Sequence, residues 1–217
     1  MEEALTVLER RQVWLAGSAI FQTARRLIVN GNPAATKSVF VRACVDAPPR
    51  LLDMAFKQAA EMAANDPALF SKMVLVAPAG IRPPEGEITD LFKVPALVYL
   101  RESVRDPEST PEFATLYGGG TSPEQYEAFE DSRAETARLA WQPYMFNPSL
   151  PHLLEGTGKP PALIVWGRED QVVPISAAAV YQRSMKNSRV VIFEACGHRP
   201  EVEASEGFVR EVKNFLQ

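Results

Sequence analysis

Two short apolar runs near the end of the chain, residues 162–166 and 189–193, most constrain what this sequence can fold into. The first run is continuously apolar, which is typical of a strand buried on both faces of a parallel sheet. The second is rich in β-branched residues, which favour strands. A helical stretch over 176–185 separates the two runs, and an amphipathic helix is predicted over 203–216. Strand and helix alternating at this spacing predict an α/β fold with a mostly parallel sheet flanked by helices.

The same pattern extends toward the N-terminus. Residues 72–77 form another apolar run, which predicts a buried strand, and a helical stretch over 51–65 precedes it. Further strands are predicted over 38–43 and 13–16. These predicted strands precede the last two in the chain and belong to the same predicted sheet.

The spacing of apolar residues changes between residues 81 and 154, where prolines are frequent and no run is as strongly strand-like. We therefore predict a core of residues 51–80 and 155–217, with a helical cap over 81–154 inserted between two strands. Such an insertion can cover the carboxyl ends of the strands, where open α/β sheets bind ligands. Residues 1–50 differ from the acidic remainder, because they hold seven Lys and Arg against four Asp and Glu.

Composition narrows the classes of partner. The chain has 217 residues, of which 46% are hydrophobic, so it can bury a sizeable core. Its net charge of −4 gives no reason to expect nucleic acid or an anionic membrane as a partner. No apolar run approaches the roughly 20 residues needed to cross a bilayer. Cys44 and Cys196 have no metal-type or redox-type spacing, and the first residues lack a signal-peptide profile, so we predict a cytoplasmic protein.

An acid and a histidine follow the last two predicted strands. Asp170 lies four residues beyond the first run and His198 five residues beyond the second, with Gly167 and Gly197 at the turns. In a parallel sheet both loops emerge at the same edge. A carboxylate–imidazole hydrogen bond there would fix the tautomer of the ring and stabilise the imidazolium. Taken singly, each is an ordinary loop residue; on consecutive strands, they predict a catalytic pair.

These segments resemble a known family. Residues 161–174, the Gly197-His198 turn and the closing amphipathic helix are similar to the last third of an α/β-hydrolase of the esterase, lipase and carbon–carbon-bond hydrolase type. Residues 61–67 and 72–86 resemble the helix and strand that lead into that family's lid.

The resemblance covers about residues 61–217 and implies an incomplete α/β-hydrolase fold. It implies the orienting-acid role for Asp170, the general-base role for His198, and a cap over 81–154 that shapes the pocket for a small, apolar substrate. It implies no metal ion and no other cofactor.

The N-terminal part departs from the family's pattern. The family's nucleophile stands on a G-x-S-x-G turn, because glycines permit the strained elbow. An early His-Gly loop supplies an oxyanion-hole N–H, which is worth about 3–4 kcal/mol in the transition state. Neither motif occurs in this chain. A truncated or rearranged gene would produce such a boundary, and the loss of early strands would expose a sheet edge, so a homo-oligomer is one expectation.

Three residues are candidates for the missing nucleophile, and none has the family's glycine spacing. Cys44 ends the strand predicted over 38–43, Asp53 stands in the nucleophile register counted back from Glu61, and Ser18 lies between a strand and a helix. A plain structural role competes with each assignment.

Three functions follow from these observations. The first is hydrolysis of an ester or carbon–carbon bond in a small apolar substrate by the Asp170–His198 pair. The second is a catalytically inactive relative that binds a ligand or partner. The third is chemistry on halides or epoxides with Asp53 as nucleophile.

Overall fold

A parallel sheet forms the centre of the molecule. A computed structural model describes residues 38–42, 58–65, 67, 70–90, 93–110, 145–156 and 159–217. The sheet has the order β1-β2-β3-β4, and every neighbouring pair is parallel. The strands are β1 Ser38–Arg42, β2 Lys72–Val76, β3 Ala162–Gly167 and β4 Ser188–Phe193. The four predicted strands are confirmed to within one residue at each end, whereas the strand predicted over 13–16 lies outside the described residues.

Helices connect and cover these strands. Among the described residues they are α1 Gln58–Asn65, α2 Ala96–Glu102, α3 Leu150–Leu154, α4 Ser176–Ser184, α5 Pro200–Glu203 and α6 Ser205–Leu216. The single helix predicted over 203–216 is wrong at its start, because helical structure begins at Pro200 and the chain bends at Ala204 (φ −129°, ψ 43°). Proline suits the first turn of a helix, and a four-residue helix is too short to show periodicity.

Alternate strand residues enter two separate cores. On one face, beneath α1, α3 and α4, the sheet contributes Met73, Leu75, Ile164 and Trp166. On the other face, against Phe208 and Val212 of α6, it contributes Val74, Val76, Leu163 and Val165. Each fully buried side chain of this size contributes about 1.5–3 kcal/mol. Coverage on both faces explains why these runs are continuously apolar rather than alternating.

The segment between β2 and β3 contains α2, α3 and an isolated bridge between Gly80 and Phe146 in its described parts. Helix α3 contacts α1 and α4 and buries Leu150 and Leu154 in the larger core. Residues 111–144 lie outside the described residues. The cap over 81–154, the core boundaries and the separate segment 1–50 therefore stay predictions.

Candidate active site

The loops that follow β3 and β4 lie side by side at the carboxyl edge of the sheet. The backbone N–H of Glu169 donates to the carbonyl of Cys196 at 2.9 Å, and the N–H of Cys196 donates to Glu169 Oε2 at 2.7 Å. This two-way contact aligns the loops immediately before Asp170 on one and His198 on the other.

The two turn glycines permit this close approach. A Cβ atom at Gly167 would lie 1.9 Å from the carbonyl oxygen of Gly197 and 2.4 Å from that of Cys196. A Cβ atom at Gly197 would lie 2.8 Å from the backbone nitrogen of Arg105. Neither glycine has a left-handed φ. Both positions therefore need glycine for space rather than for an unusual backbone conformation.

Asp170 and His198 meet in a buried hydrogen bond. His198 Nδ1 lies 2.9 Å from Asp170 Oδ2, and the two side chains are 1% and 0% exposed. The second carboxylate oxygen, Oδ1, accepts the backbone N–H groups of Val172 at 2.8 Å and Val173 at 2.9 Å. The indole of Trp166, on β3, donates to the Val173 carbonyl at 3.0 Å and so helps to hold this turn. The structure thus brings the two predicted residues together; their role in catalysis stays a prediction.

The bond to Asp170 orients the imidazole of His198. When the ring is neutral, the carboxylate favours the tautomer with the proton on Nδ1, which leaves the lone pair on Nε2. The backbone N–H of His198 donates to the carbonyl of Ser103 at 3.0 Å, just beyond α2. This contact could not be predicted from the sequence. Every residue has a backbone carbonyl, so no residue type identifies the one that accepts this bond.

A cavity of about 650 Å³ lies near the loop that follows Asp170, although neither Asp170 nor His198 lines it. Thr89 connects its wall to that loop, because its backbone N–H donates to Val172 and its hydroxyl to Gln171, both at 2.8 Å. The wall combines charged side chains with apolar ones: Arg82, Glu87, Asp90 and Lys93 with Ile88 and Phe146. The volume falls in the range of small-molecule sites.

Of the other singled-out residues, only His152 lies within the described part of the chain, and it is not part of this cluster. Ser18, Cys44 and Asp53 lie outside the described residues. His152 is on α3, where its side chain is 81% exposed and 3.9 Å from Glu155.

Cys196, beside the histidine turn, is a buried cysteine. Burial first, and then the negative charges of Glu203, Glu201, Asp170 and Glu169, raise the pKa of its thiol. Because the thiolate is the nucleophilic form of cysteine, this thiol is poorly suited to attack a substrate.

We expect Cys196 to resist alkylation by iodoacetamide at pH 8 in the native protein. Its rate should be at least about tenfold below that in urea, since both burial and a raised pKa reduce thiolate access. Quantitative mass spectrometry of the Cys196 peptide measures the rate, with the urea-unfolded protein as control. Equal rates in the two conditions would contradict the burial of this thiol.

Neither a metal centre nor a membrane span is found within the described ranges. No group of three or more His, Cys, Asp and Glu side chains in these ranges could hold a metal ion. None of the helices just described is both long enough and apolar enough to cross a bilayer.

Comparison with known sequences gives partial matches. No protein-family model matches the chain. A segment of 78 residues is 38% identical to the 2-hydroxy-6-oxononadienedioate/2-hydroxy-6-oxononatrienedioate hydrolase of Paraburkholderia xenovorans, covering 36% of this chain and 26% of that protein. A segment of 58 residues is 36% identical to the monoacylglycerol lipase ABHD6 of Mus musculus, covering 27% and 17%. The chain thus spans about a quarter of the length of the first relative and less of the second.

Comparison with solved structures gives a longer match. The 2-hydroxy-6-oxo-6-phenylhexa-2,4-dienoate hydrolase from Rhodococcus sp. strain RHA1 superposes with a TM-score of 0.56 at 16% identity. The match covers 92% of this chain and 72% of that one. At this identity the likeness concerns the fold alone, and it confirms the fold class predicted from the sequence.

Proposed function

We propose that this chain carries the general base and the orienting acid of a hydrolase. Part of the chain belongs to the α/β-hydrolase family. The observation that carries the proposal is the buried 2.9 Å bond between His198 Nδ1 and Asp170 Oδ2. A carboxylate that is held by two backbone N–H groups and bonded to an imidazole is the arrangement that orients a histidine base and stabilises its imidazolium form.

In this mechanism the base is Nε2 of His198. It takes a proton from a nucleophile or from water as the oxygen or sulfur atom attacks the substrate's carbonyl carbon. Asp170 stabilises the imidazolium that forms, and the proton then passes to the leaving group. With a side-chain nucleophile, a water molecule deprotonated by Nε2 then hydrolyses the acyl-enzyme and releases the acid product. The nucleophile is unassigned, since Ser18, Cys44 and Asp53 lie outside the described residues.

The substrate class is an ester or an activated carbon–carbon bond in a small molecule with an apolar body. One relative is a hydrolase of 2-hydroxy-6-oxo dienedioates and another a monoacylglycerol lipase, which supports these two bond types. The cavity near the Asp170 loop supports a substrate that combines an apolar part with a polar end, because Ile88 and Phe146 share its wall with Arg82 and Lys93.

We expect purified protein to hydrolyse a short-chain p-nitrophenyl ester or a 2-hydroxy-6-oxo-dienoate, and His198→Ala to lose this activity. Removing a general base of this kind lowers kcat by about 10³-fold or more. Product absorbance measured in parallel for both proteins gives the ratio. His152→Ala is the matched control, because His152 is exposed on α3, and it should keep the full rate. Equal turnover by wild type and His198→Ala would contradict the proposal.

A second candidate, a catalytically inactive relative that binds a ligand, is favoured by one observation. The His198 side chain is only 1% exposed, whereas a general base must reach its substrate or a water molecule. An inactive relative would turn over no substrate. This includes a haloalkane or an epoxide, the substrates of the alternative in which Asp53 is the nucleophile. A bound ester or dienoate analogue would instead raise the melting temperature.

A further inference from the structure

The carboxylate of Glu203, the last residue of α5, accepts hydrogen bonds from three backbone N–H groups. Both of its oxygens lie 3.0 Å from the nitrogen of Gly197. Oε1 lies 3.3 Å from the nitrogen of Arg199, and Oε2 lies 2.8 Å from that of Arg105. Gly197 and Arg199 flank His198 in the chain, so one side chain holds the backbone on both sides of the histidine.

The third N–H group belongs to the segment 103–105, which packs directly against the histidine turn. Ser103 accepts the backbone N–H of His198 at 3.0 Å. A Cβ atom at Gly197 would lie 3.1 Å from the carbonyl carbon of Val104. The histidine turn, the segment 103–105 and the carboxylate of Glu203 are therefore all bonded to one another.

The environment of Glu203 agrees with a dedicated role for its charge. Burial raises the pKa of the Glu203 carboxyl, while the hydrogen bonds from Arg105, Gly197 and Arg199 lower it and offset part of that effect. A partly buried carboxylate is costly unless it is hydrogen-bonded, and here each oxygen has backbone donors.

We propose that Glu203 is a positioning residue for His198, locking the histidine turn to the segment 103–105 so that Nδ1 stays within bonding distance of Asp170. Glu203 acts through the backbone and has no assigned contact with the substrate. The inference rests on the proposed function only where it concerns catalysis; the positional claim stands on its own.

The direct test is the proton NMR signal of the His198 Nδ1–H···Asp170 bond in ¹⁵N-histidine-labelled protein, assigned by its loss in His198→Ala. We expect this downfield signal in wild type and its loss in Glu203→Ala, because the turn loses the hydrogen bonds that Gly197 and Arg199 donate and, through Arg105, its link to the segment 103–105. Glu206→Ala, which removes an exposed glutamate from α6, is the matched control and should keep the signal. A folded Glu203→Ala protein with the wild-type signal overturns the proposal.

If Glu203→Ala does not fold, Glu203→Gln decides the question by the same measurement. Its amide oxygen can serve one side of the carboxylate's position, whereas its NH₂ group would face a backbone N–H on the other. A shifted or broadened signal supports the positioning role, and a signal identical to that of wild type overturns it.

Kinetics test the catalytic consequence separately. Glu203→Ala should lower kcat by about 10- to 100-fold with KM unchanged, the scale expected of a catalytic group misplaced by about 1 Å. The same substitution added to His198→Ala should cause no further loss, because the histidine through which it acts is gone. An equal loss in both backgrounds overturns the proposal. Absence of turnover in wild type contradicts the proposed function instead and leaves the NMR result to decide the role of Glu203.

Discussion

Replacing Gly167 with alanine is expected to destabilise the protein by about 3–5 kcal/mol, a large part of the stability of an ordinary domain. The added Cβ would stand 1.9 Å from the carbonyl oxygen of Gly197 and 2.4 Å from that of Cys196. Both obstacles are backbone atoms, so no side-chain rotation relieves the contact. The loops after β3 and β4 must separate, and the bond between Asp170 and His198 is then lost.

Thermal unfolding measures this effect, and the melting temperature of Gly167→Ala should fall on the order of 10 °C. Gly156→Ala is the matched control, because within the described part of the chain its Cβ would meet the side chain of Lys159 at 3.4 Å, an ordinary contact. It should melt within about 2 °C of wild type. A Gly167→Ala protein as stable as the control would contradict the close approach of the two loops.

Asp170→Asn is expected to lower kcat by about 10⁴-fold while the fold persists. The N–H groups of Val172 and Val173 both donate to Oδ1, so the asparagine oxygen must occupy that position. The amide NH₂ then faces Nδ1 of His198 and donates to it, which moves the ring proton to Nε2. A protonated Nε2 cannot act as the base.

Long-range ¹H–¹⁵N NMR of the histidine ring should report this change of tautomer directly, alongside the kinetic measurement. Asp106→Asn is the matched control, because Oδ1 of Asp106 also accepts two backbone N–H groups, from Glu108 at 3.1 Å and Ser109 at 3.3 Å, at an exposed site without a histidine. It should leave kcat unchanged. An Asp170→Asn protein that keeps the wild-type rate would exclude Asp170 as the orienting acid.

The strands and the juxtaposition of Asp170 with His198 were predictable from sequence for one physical reason. Strands buried on both faces must be continuously apolar, so β2 and β3 stand out from their surroundings. In a parallel sheet the loops that follow neighbouring strands emerge at one edge, which brings two distant residues close without further information.

Other parts of the site were beyond sequence reasoning. The contacts of Glu203 with Gly197 and Arg105 use backbone N–H groups. Every non-proline residue has such a group, so no pattern of residue types predicts these contacts. The bend at Ala204, the residue after Glu203, divides a helix that periodicity alone predicts as continuous.

The apolar runs and their alternation with helical stretches by themselves determined which segments form strands and that the sheet is mostly parallel, because burying apolar side chains on both faces of a sheet leaves a pattern in the residues themselves. The contacts that fix the position of His198 could be known only from the folded chain. Gly167 and Gly197 allow two loops to approach, and the segment 103–105 is bonded both to Glu203 and to the histidine turn. Such contacts depend on the distances between backbone segments. These distances are set only when the sheet has assembled.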